Sequence, residues 1–233
     1  LIKYVNKKFL SLRYPNVHLK DVEKKLNKVQ RKIWHYFVPG KLIELHYAVN
    51  HEHPNKPLDR IYFDIDRKNI PAEKAQRVAL QFIETIENDA SFTLKHRIFP
   101  MWTGNSFHVY LLLQKSISHS FYEKYFHINI SNPGSSFSEK WISDVDKILS
   151  NTNVVAGHIK KKQCIIIDPS QSPSGKIGRC PFSLYVKNYS IISGIALPLT
   201  VTDLKNKNLV EELRRYTIEK VIKNLDVLAH RLP

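Results

Sequence analysis

Cysteine is scarce in this chain, which carries only Cys164 and Cys180 among its 233 residues. Neither thiol belongs to a Cys-x-x-Cys pair, so the sequence argues against a disulfide scaffold and offers too few thiolates for a structural zinc site. Long apolar runs are also missing, because no stretch approaches the ~18 residues that span a bilayer. The first residues lack a basic segment followed by an apolar one, so we expect an intracellular protein without a membrane partner.

Acidic residues are few relative to basic ones. The chain has 21 Asp and Glu residues against 36 Lys and Arg residues, which gives a formal net charge of +15. A field of this sign favours polyanionic partners, and nucleic acid is the first candidate. A membrane surface is the competing candidate, but the basic residues are dispersed and not gathered at a terminus. The length is sufficient for one compact unit with a real hydrophobic core.

Two aspartates close a strand-like segment that runs from Arg60 to Asp66. The alternation in this segment places Ile61, Phe63 and Ile65 on one face, so Asp64 and Asp66 share the other face, roughly 7 Å apart. A third aspartate, Asp168, ends the apolar run Cys164 to Ile167. Hard divalent cations prefer carboxylate ligands. Such a set therefore suits two-metal phosphoryl transfer, although an Asp-x-Asp pair alone is common on surface strands.

A serine and a histidine follow a predicted tight turn. Thr103-Gly104-Asn105 separates two strand-like runs, Leu94 to Met101 and Ser106 to Leu113, as in a hairpin. Ser106 and His108 then share a face just beyond the turn, where both can donate hydrogen bonds to phosphate oxygens. A lone histidine in an apolar strand is otherwise typical of a packed core position.

Four short motifs occur in a specific order: Phe63 to Asp66, Thr103 to His108, Ile166 to Asp168, and Arg179 to Lys187. This ordered set resembles the archaeo-eukaryotic primase superfamily, over roughly residues 42 to 187. One departure is Tyr185, which stands where many members have histidine.

The resemblance implies a role for each motif. Asp64, Asp66 and Asp168 are expected to be catalytic and to bind Mg²⁺ or Mn²⁺. The expected nucleotide-binding residues, which hold the incoming triphosphate, are Ser106, His108, Arg179, Ser183 and Lys187. The implied activity is that of a DNA primase or primase-polymerase, a template-directed nucleotidyltransferase that starts or extends primers.

The expected fold class is α+β, since strands and helices mix in irregular order. The resemblance adds two lobes with a largely antiparallel central sheet flanked by helices: an N-terminal α/β lobe and a catalytic lobe like an RNA-recognition motif. Residues 1–200 are expected to form the catalytic domain. Residues 201–233 are expected to form a helical extension that packs on it or binds a partner, with one long helical pattern from Asn208 to Arg231.

The expected partners are a single-stranded DNA template and primer, an NTP or dNTP, and a large primase subunit or a helicase. Template binding needs basic and aromatic side chains near the site. The candidates are Lys160, Lys161 and Lys162, just before the third aspartate strand, and Trp102, just before the turn. The competing interpretation is that the lysines form a solvated face and that Trp102 lies partly in the core.

Two alternatives from other functional classes stay open. A replication-initiator endonuclease is suggested by His51-Glu52-His53 together with Tyr122 and Tyr125, but that hypothesis gives Asp168 and the Arg179 to Lys187 motif no role. A non-catalytic nucleic-acid-binding subunit with a primase-like fold is the other alternative. Retention of three aspartates and the histidine argues against it.

Overall fold

The structure is a computed structural model that describes residues 46–51, 53–129, 134–157, 163–187 and 191–233. Residues 1–45 lie outside these described residues. The apolar spacing from Leu19 to Phe37 predicts an amphipathic helix, which falls in that part of the chain.

A six-stranded sheet forms the centre of the described fold, in the strand order β10-β3-β4-β2-β6-β5. Neighbouring strands run antiparallel except β5 and β6, which are parallel. The strands are β2 (Leu58–Asp66), β3 (His96–Trp102), β4 (Phe107–Ile117), β5 (Val154–Ala156), β6 (Ile165–Asp168) and β10 (Leu197–Pro198). The predicted α+β class with a largely antiparallel central sheet is confirmed.

Two small antiparallel sheets accompany the central one. The first pairs β1 (His46–Ala48) with β7 (Ile177–Arg179), and the second pairs β8 (Leu184–Lys187) with β9 (Ile191–Ile195). The sequence pattern predicts a closing pair of strands, Arg179 to Lys187 and Ser190 to Leu197. The pairing of β8 with β9 confirms the pair, but the first strand begins only at Leu184, because β7 ends at Arg179. Phe182 has a φ of 65° and interrupts the extended backbone between β7 and β8.

One face of the central sheet packs against helices. The helix α1 (Ala72–Glu87) follows Pro71, and its buried residues, among them Val78 and Phe82, recur at the three- and four-residue spacing of an amphipathic helix. These residues meet the β2 face formed by Ile61, Phe63 and Ile65, all with 0% exposure. Two further helices follow, α2 (His119–Tyr125) and α3 (Phe137–Ile148). Trp141 of α3 packs against the rings of Phe63 and Phe82 at 6.3 Å.

The opposite face of the sheet carries a second, smaller core. Tyr62 of β2 lies here with Tyr110 of β4 and Met101 of β3, and Tyr47 and Cys180 from the β1–β7 side cover them. Period-two alternation of β2 explains this division, since Tyr62 faces away from Phe63. Asp64 and Asp66 therefore lie on the face that the β1–β7 sheet partly covers.

The C-terminal segment is helical, but the predicted single long helix is wrong. It consists of a 3₁₀ turn (Asp203–Lys205) and three short helices, α4 (Leu209–Arg214), α5 (Ile218–Lys223) and α6 (Leu225–Ala229). The side chain of Thr217 accepts a hydrogen bond from the Lys220 N–H and starts a new helix at that point.

The C-terminal helices pack on the body of the fold. Leu209, Val221 and Leu228 belong to the main core cluster. The side chain of Gln76 on α1 also donates hydrogen bonds to the backbone carbonyls of Leu204 (2.9 Å) and Asn206 (2.7 Å). In the described part of the chain, no helix combines the length and the apolar character needed to cross a bilayer.

Candidate active site

Three functional side chains form a row across adjacent strands. Asp64 on β2 is in register with His108 on β4 and with Asp168 on β6. Residues directly opposite each other in antiparallel strands point to the same face, with Cβ atoms about 5 Å apart. The Nε2 atom of His108 lies 3.4 Å from Oδ1 of Asp64. The sheet thus brings together one histidine and two carboxylates that are distant in sequence.

Asp66 lies on the same face as Asp64, one pleat farther along β2. Its carboxylate is held by Lys68, whose Nζ donates to Oδ2 at 2.6 Å and whose backbone N–H donates to Oδ1 at 3.0 Å. Lys68 adopts a left-handed backbone conformation with a φ of 49°. Both oxygens of Asp66 therefore have a partner within the same local turn.

Asp168 is buried at 6% exposure and also has local partners. Ser170 donates to its carboxylate from the backbone N–H and from the hydroxyl group, both at 2.9 Å. Asp64, by contrast, keeps 43% of its side chain exposed. The row therefore offers one solvent-accessible carboxylate beside a buried one.

The three aspartates fit a hard divalent cation in donor chemistry, because carboxylate oxygens are the preferred ligands of Mg²⁺ and Mn²⁺. They also share one sheet face, and the like charges of Asp64 and Asp168 repel each other unless a cation offsets them. Among the described residues, however, no three His, Cys, Asp or Glu side chains converge closely enough to hold an ion. A metal would require Asp66 and Asp168 to exchange their bonds with Lys68 and Ser170.

Ser106 and His108 lie where the turn was expected to place them, but both have protein partners. The Ser106 hydroxyl is buried and donates to the backbone carbonyl of Ile65. The imidazole of His108 is also buried, and its Nε2 lies 3.0 Å from the hydroxyl oxygen of Tyr62. Neither side chain presents a free donor at the surface of the described structure.

Tyr62 lies next to the row of Asp64, His108 and Asp168, and none of the sequence motifs indicates it. Burial raises the pKa of its phenol well above the usual value, and the charges of Asp64, Tyr47 and Asp168 act in the same direction. The charge of Arg179 opposes them. Tyr62 therefore keeps its proton at physiological pH and adds no charge beside Asp64. Alternation along β2 places Tyr62 on the same face as Asp64, and this is the feature of the sequence that could have indicated it.

The turn before Ser106 is in direct backbone contact with the β8–β9 hairpin. Gly104 has a φ of +95°, and a Cβ atom there would lie 2.6 Å from the Cβ of Tyr185. A Cβ atom on Gly194 would overlap the carbonyl group of Gly104. Only glycine allows this approach. It places the hairpin that carries Tyr185 and Lys187 beside the start of β4.

Arg67 connects the end of β2 to the same turn. Its Nε donates to the backbone carbonyl of Asn105 at 2.7 Å, and its Nη2 donates to the Asn105 side-chain oxygen at 2.6 Å. Burial lowers the pKa of the guanidinium, and the charge of Arg214 acts in the same direction. Since Arg67 directly follows Asp66, this forked contact fixes the end of the strand that carries both aspartates.

The last predicted motif, Arg179 to Lys187, is divided between the β1–β7 sheet and the β8–β9 sheet. Arg179 ends β7, donates from Nη1 to the Leu184 carbonyl at 2.8 Å, and lies 5.1 Å from the ring centre of Tyr185. Ser183 is buried at 1% exposure and donates to the same carbonyl at 3.3 Å. Lys187 ends β8. The Arg179–Tyr185 contact has cation–π geometry, so the tyrosine that departs from the superfamily pattern packs against the arginine.

The predicted nucleic-acid residues divide into two groups. Trp102 is 1% exposed and packs against Phe107 with ring centres 5.0 Å apart. It has no free face for base stacking, so the prediction that Trp102 contacts nucleic acid is wrong and it is a core residue. Lys160, Lys161 and Lys162 lie outside the described residues.

Of the two tyrosines in the endonuclease alternative, Tyr122 is not placed as a nucleophile. Tyr122 is buried, and its hydroxyl donates to the Pro169 carbonyl at 2.7 Å. Burial raises the pKa of this phenol far above the usual value. His51 and His53 have ring centres 5.5 Å apart, while Glu52 lies outside the described residues.

No family model matches this sequence, and no curated protein matches it. The structure is similar to that of the polymerase domain from Mycobacterium tuberculosis Ligase D in complex with DNA, with a TM-score of 0.56. The sequences are 16% identical, and the match covers 86% of this chain and 67% of the other. The fold of this chain is similar to that of this polymerase domain. At such low identity the similarity concerns the fold, and the site must be argued from its own residues.

Proposed function

We propose that this chain is a template-directed nucleotidyltransferase of the primase-polymerase type. The observation that carries the proposal is the opposition of Asp64 and Asp168 on adjacent strands, with Asp66 on the same face. A polymerase-like fold supports it, because the similar solved structure is a polymerase domain in complex with DNA.

In this proposal Asp64, Asp66 and Asp168 would hold Mg²⁺ or Mn²⁺. Bound divalent ions of this kind supply charge stabilisation at the attacking and leaving oxygens of phosphoryl transfer. The chain's own contribution is to hold the carboxylates in fixed positions. Pairing of β2 with β4 and β6 fixes the backbone of Asp64 and Asp168. The fork between Arg67 and Asn105 holds the strand end beyond Asp66.

The triphosphate of an NTP or dNTP needs cationic partners near these carboxylates. Arg179 is the best supported, because its charge, like those of Asp64 and Asp168, is near enough to act on the Tyr62 phenol, although it acts in the opposite direction. We propose Arg179 and Lys187 as phosphate contacts. Ser106 and Ser183, both buried, complete the pocket by holding the backbone of Ile65 and Leu184.

The nucleic acid is proposed to be a single-stranded DNA template with a primer. The formal net charge of +15 supports a polyanionic partner. Lys160, Lys161 and Lys162 precede β6 in the sequence and are proposed to contact the template. A large primase subunit or a helicase remains the proposed protein partner.

The test is incorporation of labelled nucleotides with Mg²⁺ or Mn²⁺ on primed and unprimed single-stranded DNA, using each nucleotide type. We expect metal-dependent, template-dependent products from the wild-type protein. Asp64→Ala should abolish them while DNA affinity stays within about twofold, since the carboxylate is not a DNA contact. Unchanged synthesis by Asp64→Ala would overturn the proposal. DNA binding without incorporation under every condition would favour the non-catalytic binding subunit instead.

A further inference from the structure

We propose that Tyr185 is a positioning residue for the incoming nucleotide, because its ring holds the guanidinium of Arg179 ready to bind the triphosphate. This inference rests on the proposed function, in which Arg179 contacts phosphate, and deepens it. Tyr185 is the residue that departs from the superfamily pattern, so the motif itself assigns it no role.

A tight turn brings the two side chains together. The Ser183 N–H donates to the Cys180 carbonyl at 3.2 Å, which closes a four-residue turn directly after Arg179. Pro181 and Phe182 occupy the central positions of this turn. The φ of 65° at Phe182 is the left-handed conformation that the third position of a type II turn requires. The chain therefore reverses between β7 and β8, and the start of β8 lies beside the arginine.

Two consecutive residues of β8 hold Arg179. Its Nη1 donates to the Leu184 carbonyl at 2.8 Å, and its Cζ lies 5.1 Å from the centre of the Tyr185 ring. The side chains of Arg179 and Tyr185 are both half-buried. The attraction between a guanidinium and an aromatic face strengthens as water is excluded. The arginine is therefore restrained by a hydrogen bond and by a ring.

The position of Tyr185 is itself restricted by neighbouring backbone. Gly104, in the turn before Ser106, lies so close that a Cβ atom on it would be 2.6 Å from the Cβ of Tyr185. Tyr185 is also paired with Gly194 on β9, where an added Cβ atom would overlap the Gly104 carbonyl. The turn and β9 therefore limit where the Tyr185 side chain can lie. The same contact connects this side chain to the turn from which β4 starts.

Arg179 lies close to the face of the sheet that carries the aspartates. Cys180, the next residue, packs with Tyr62 in the smaller core on that face. Burial raises the pKa of the Tyr62 phenol, and the positive charge of Arg179 opposes this shift. The guanidinium is thus within electrostatic reach of the sheet face. A phosphate bound by Arg179 would lie on the side of the sheet that carries the aspartates.

Restraint of the guanidinium before the nucleotide arrives would strengthen binding without adding a contact to the ligand. An arginine side chain has many rotamers, and ordering it during binding costs affinity. The Tyr185 ring restricts these rotamers in advance. A contact through the ring face also uses none of the N–H donors of a guanidinium, which are the groups that bind phosphate. The nucleotide would then meet a cation that is already oriented.

The experiment measures the Kd of mant-ATP or mant-dATP, whichever binds wild type more tightly, by fluorescence anisotropy. The buffer contains MgCl₂ and no template, so the readout does not depend on incorporation. We expect Tyr185→Leu to raise the Kd about three- to tenfold, and Tyr185→Phe, which keeps the aromatic face, to stay within about twofold of wild type. Arg179→Ala should raise the Kd about 10- to 100-fold. In the Arg179→Ala background, Tyr185→Leu should have no further effect, because the ring acts through the arginine.

A second contact between a ring and a cation provides the matched control. The Nζ of Lys220 lies 4.3 Å from the centre of the Tyr216 ring, in the C-terminal helical segment. Tyr216→Leu should leave the nucleotide Kd unchanged. Replacement of Tyr185 by pentafluorophenylalanine keeps the ring but removes the negative potential of its face. This replacement should therefore raise the Kd about as much as Tyr185→Leu does.

The outcomes separate this inference from the proposed function. No nucleotide binding by the wild-type protein would overturn both. Nucleotide binding without incorporation on any template would overturn the proposed function alone, as long as Tyr185→Leu still weakens binding. An unchanged Kd in Tyr185→Leu and in the fluorinated variant would overturn the positioning role alone.

An equal loss from Tyr185→Leu with and without Arg179 would also overturn the positioning role, because Tyr185 would then contact the nucleotide directly. If Tyr185→Leu does not fold, the fluorinated variant decides, since it preserves the size of the ring. An unchanged Kd in that variant contradicts the inference.

Discussion

Asp64 and Asp168 face each other across the pairing of β2 and β6, in direct register. Two like charges in this position repel each other, with Asp64 beside the His108 imidazole and Asp168 bonded to Ser170. A protein tolerates such an arrangement where a bound cation offsets the charge. The opposition of these two carboxylates is therefore the structural basis of the divalent-cation site proposed above.

The first prediction concerns the stability of the metal-free protein. Asp64→Asn removes one of the two opposed charges, so it should raise the free energy of unfolding by about 0.2–1 kcal/mol in EDTA. Added MnCl₂ should raise the melting temperature of wild type and leave that of Asp64→Asn unchanged. Thermal unfolding with and without metal measures both effects. Equal stabilisation of the two proteins by Mn²⁺ would argue against Asp64 as a ligand.

The second prediction concerns the contact between the turn and the β8–β9 hairpin. A methyl group on Gly194 would overlap the Gly104 carbonyl, and the atoms it would meet are backbone atoms, which cannot shift as easily as the end of a flexible side chain. Gly194→Ala should therefore cost about 3 kcal/mol or more in urea unfolding. Gly134→Ala is the matched control, because no atom of the described residues lies within 4 Å of its Cβ position and only its φ of +85° is unfavourable. Its expected cost is about 1 kcal/mol. Similar small losses in both variants would contradict the close approach.

The third prediction is a pH dependence at Asp89. Burial alone would raise the pKa of this carboxyl, but hydrogen bonds from Lys140, Ser91 and Trp141 outweigh burial and hold it well below its usual value. Because the folded pKa lies below the unfolded one, the contribution to stability is complete above about pH 4 and is lost as the pH falls further.

Asp89→Asn tests this dependence. The variant should be less stable by about 1–3 kcal/mol at pH 7, since Lys140 and Trp141 lose a charged acceptor. The difference from wild type should shrink as the pH falls from 5 to 2 in urea titrations. Asp144→Asn is the control, because its pair with Lys147 is exposed and worth about 0.5 kcal/mol or less. A difference that stays constant with pH would rule out the depressed pKa.

The fourth prediction concerns Tyr122. Its hydroxyl is bonded to the Pro169 carbonyl, one residue after Asp168, so it acts as a structural donor. Tyr122→Phe should lower stability by about 1–2 kcal/mol. Incubation of wild type with single-stranded DNA should yield no covalent phosphotyrosyl adduct on a denaturing gel. An adduct that disappears in Tyr122→Phe or Tyr125→Phe would restore the endonuclease hypothesis.

Local patterns predicted the elements around the site well. Alternation along β2 correctly separates Phe63 from Asp64, and the buried residues of α1 recur at the spacing of an amphipathic helix, because both patterns depend on neighbours within a few residues. The hairpin of β3 and β4 is also predicted correctly, since the sequence places Gly104 in the turn, and the structure gives this glycine a positive φ.

Other features depend on distant contacts or on single backbone conformations. No spacing in the sequence reveals that Asp168 faces Asp64, because strand order and register are set by the whole sheet. Phe182 and its left-handed backbone divided the Arg179 to Lys187 motif, although phenylalanine favours extended structure. The burial of Trp102 likewise depends on Phe107 and the core around it. Thr217, in contrast, could have been identified from the sequence, because threonine is a common N-cap and here it begins a new helix within the C-terminal segment.

The most direct test of the account is the incorporation rate of Asp168→Asn, since the sheet register alone connects this residue to Asp64. The measurement is single-nucleotide incorporation on a primed template with Mg²⁺, alongside Asp59→Asn, a control carboxylate on β2 that is 57% exposed and pairs with Arg60. We expect Asp168→Asn to lose at least about 1,000-fold in rate, or about 4 kcal/mol of transition-state stabilisation, with DNA affinity retained. Asp59→Asn should match wild type. An Asp168→Asn rate close to that of wild type would contradict the account.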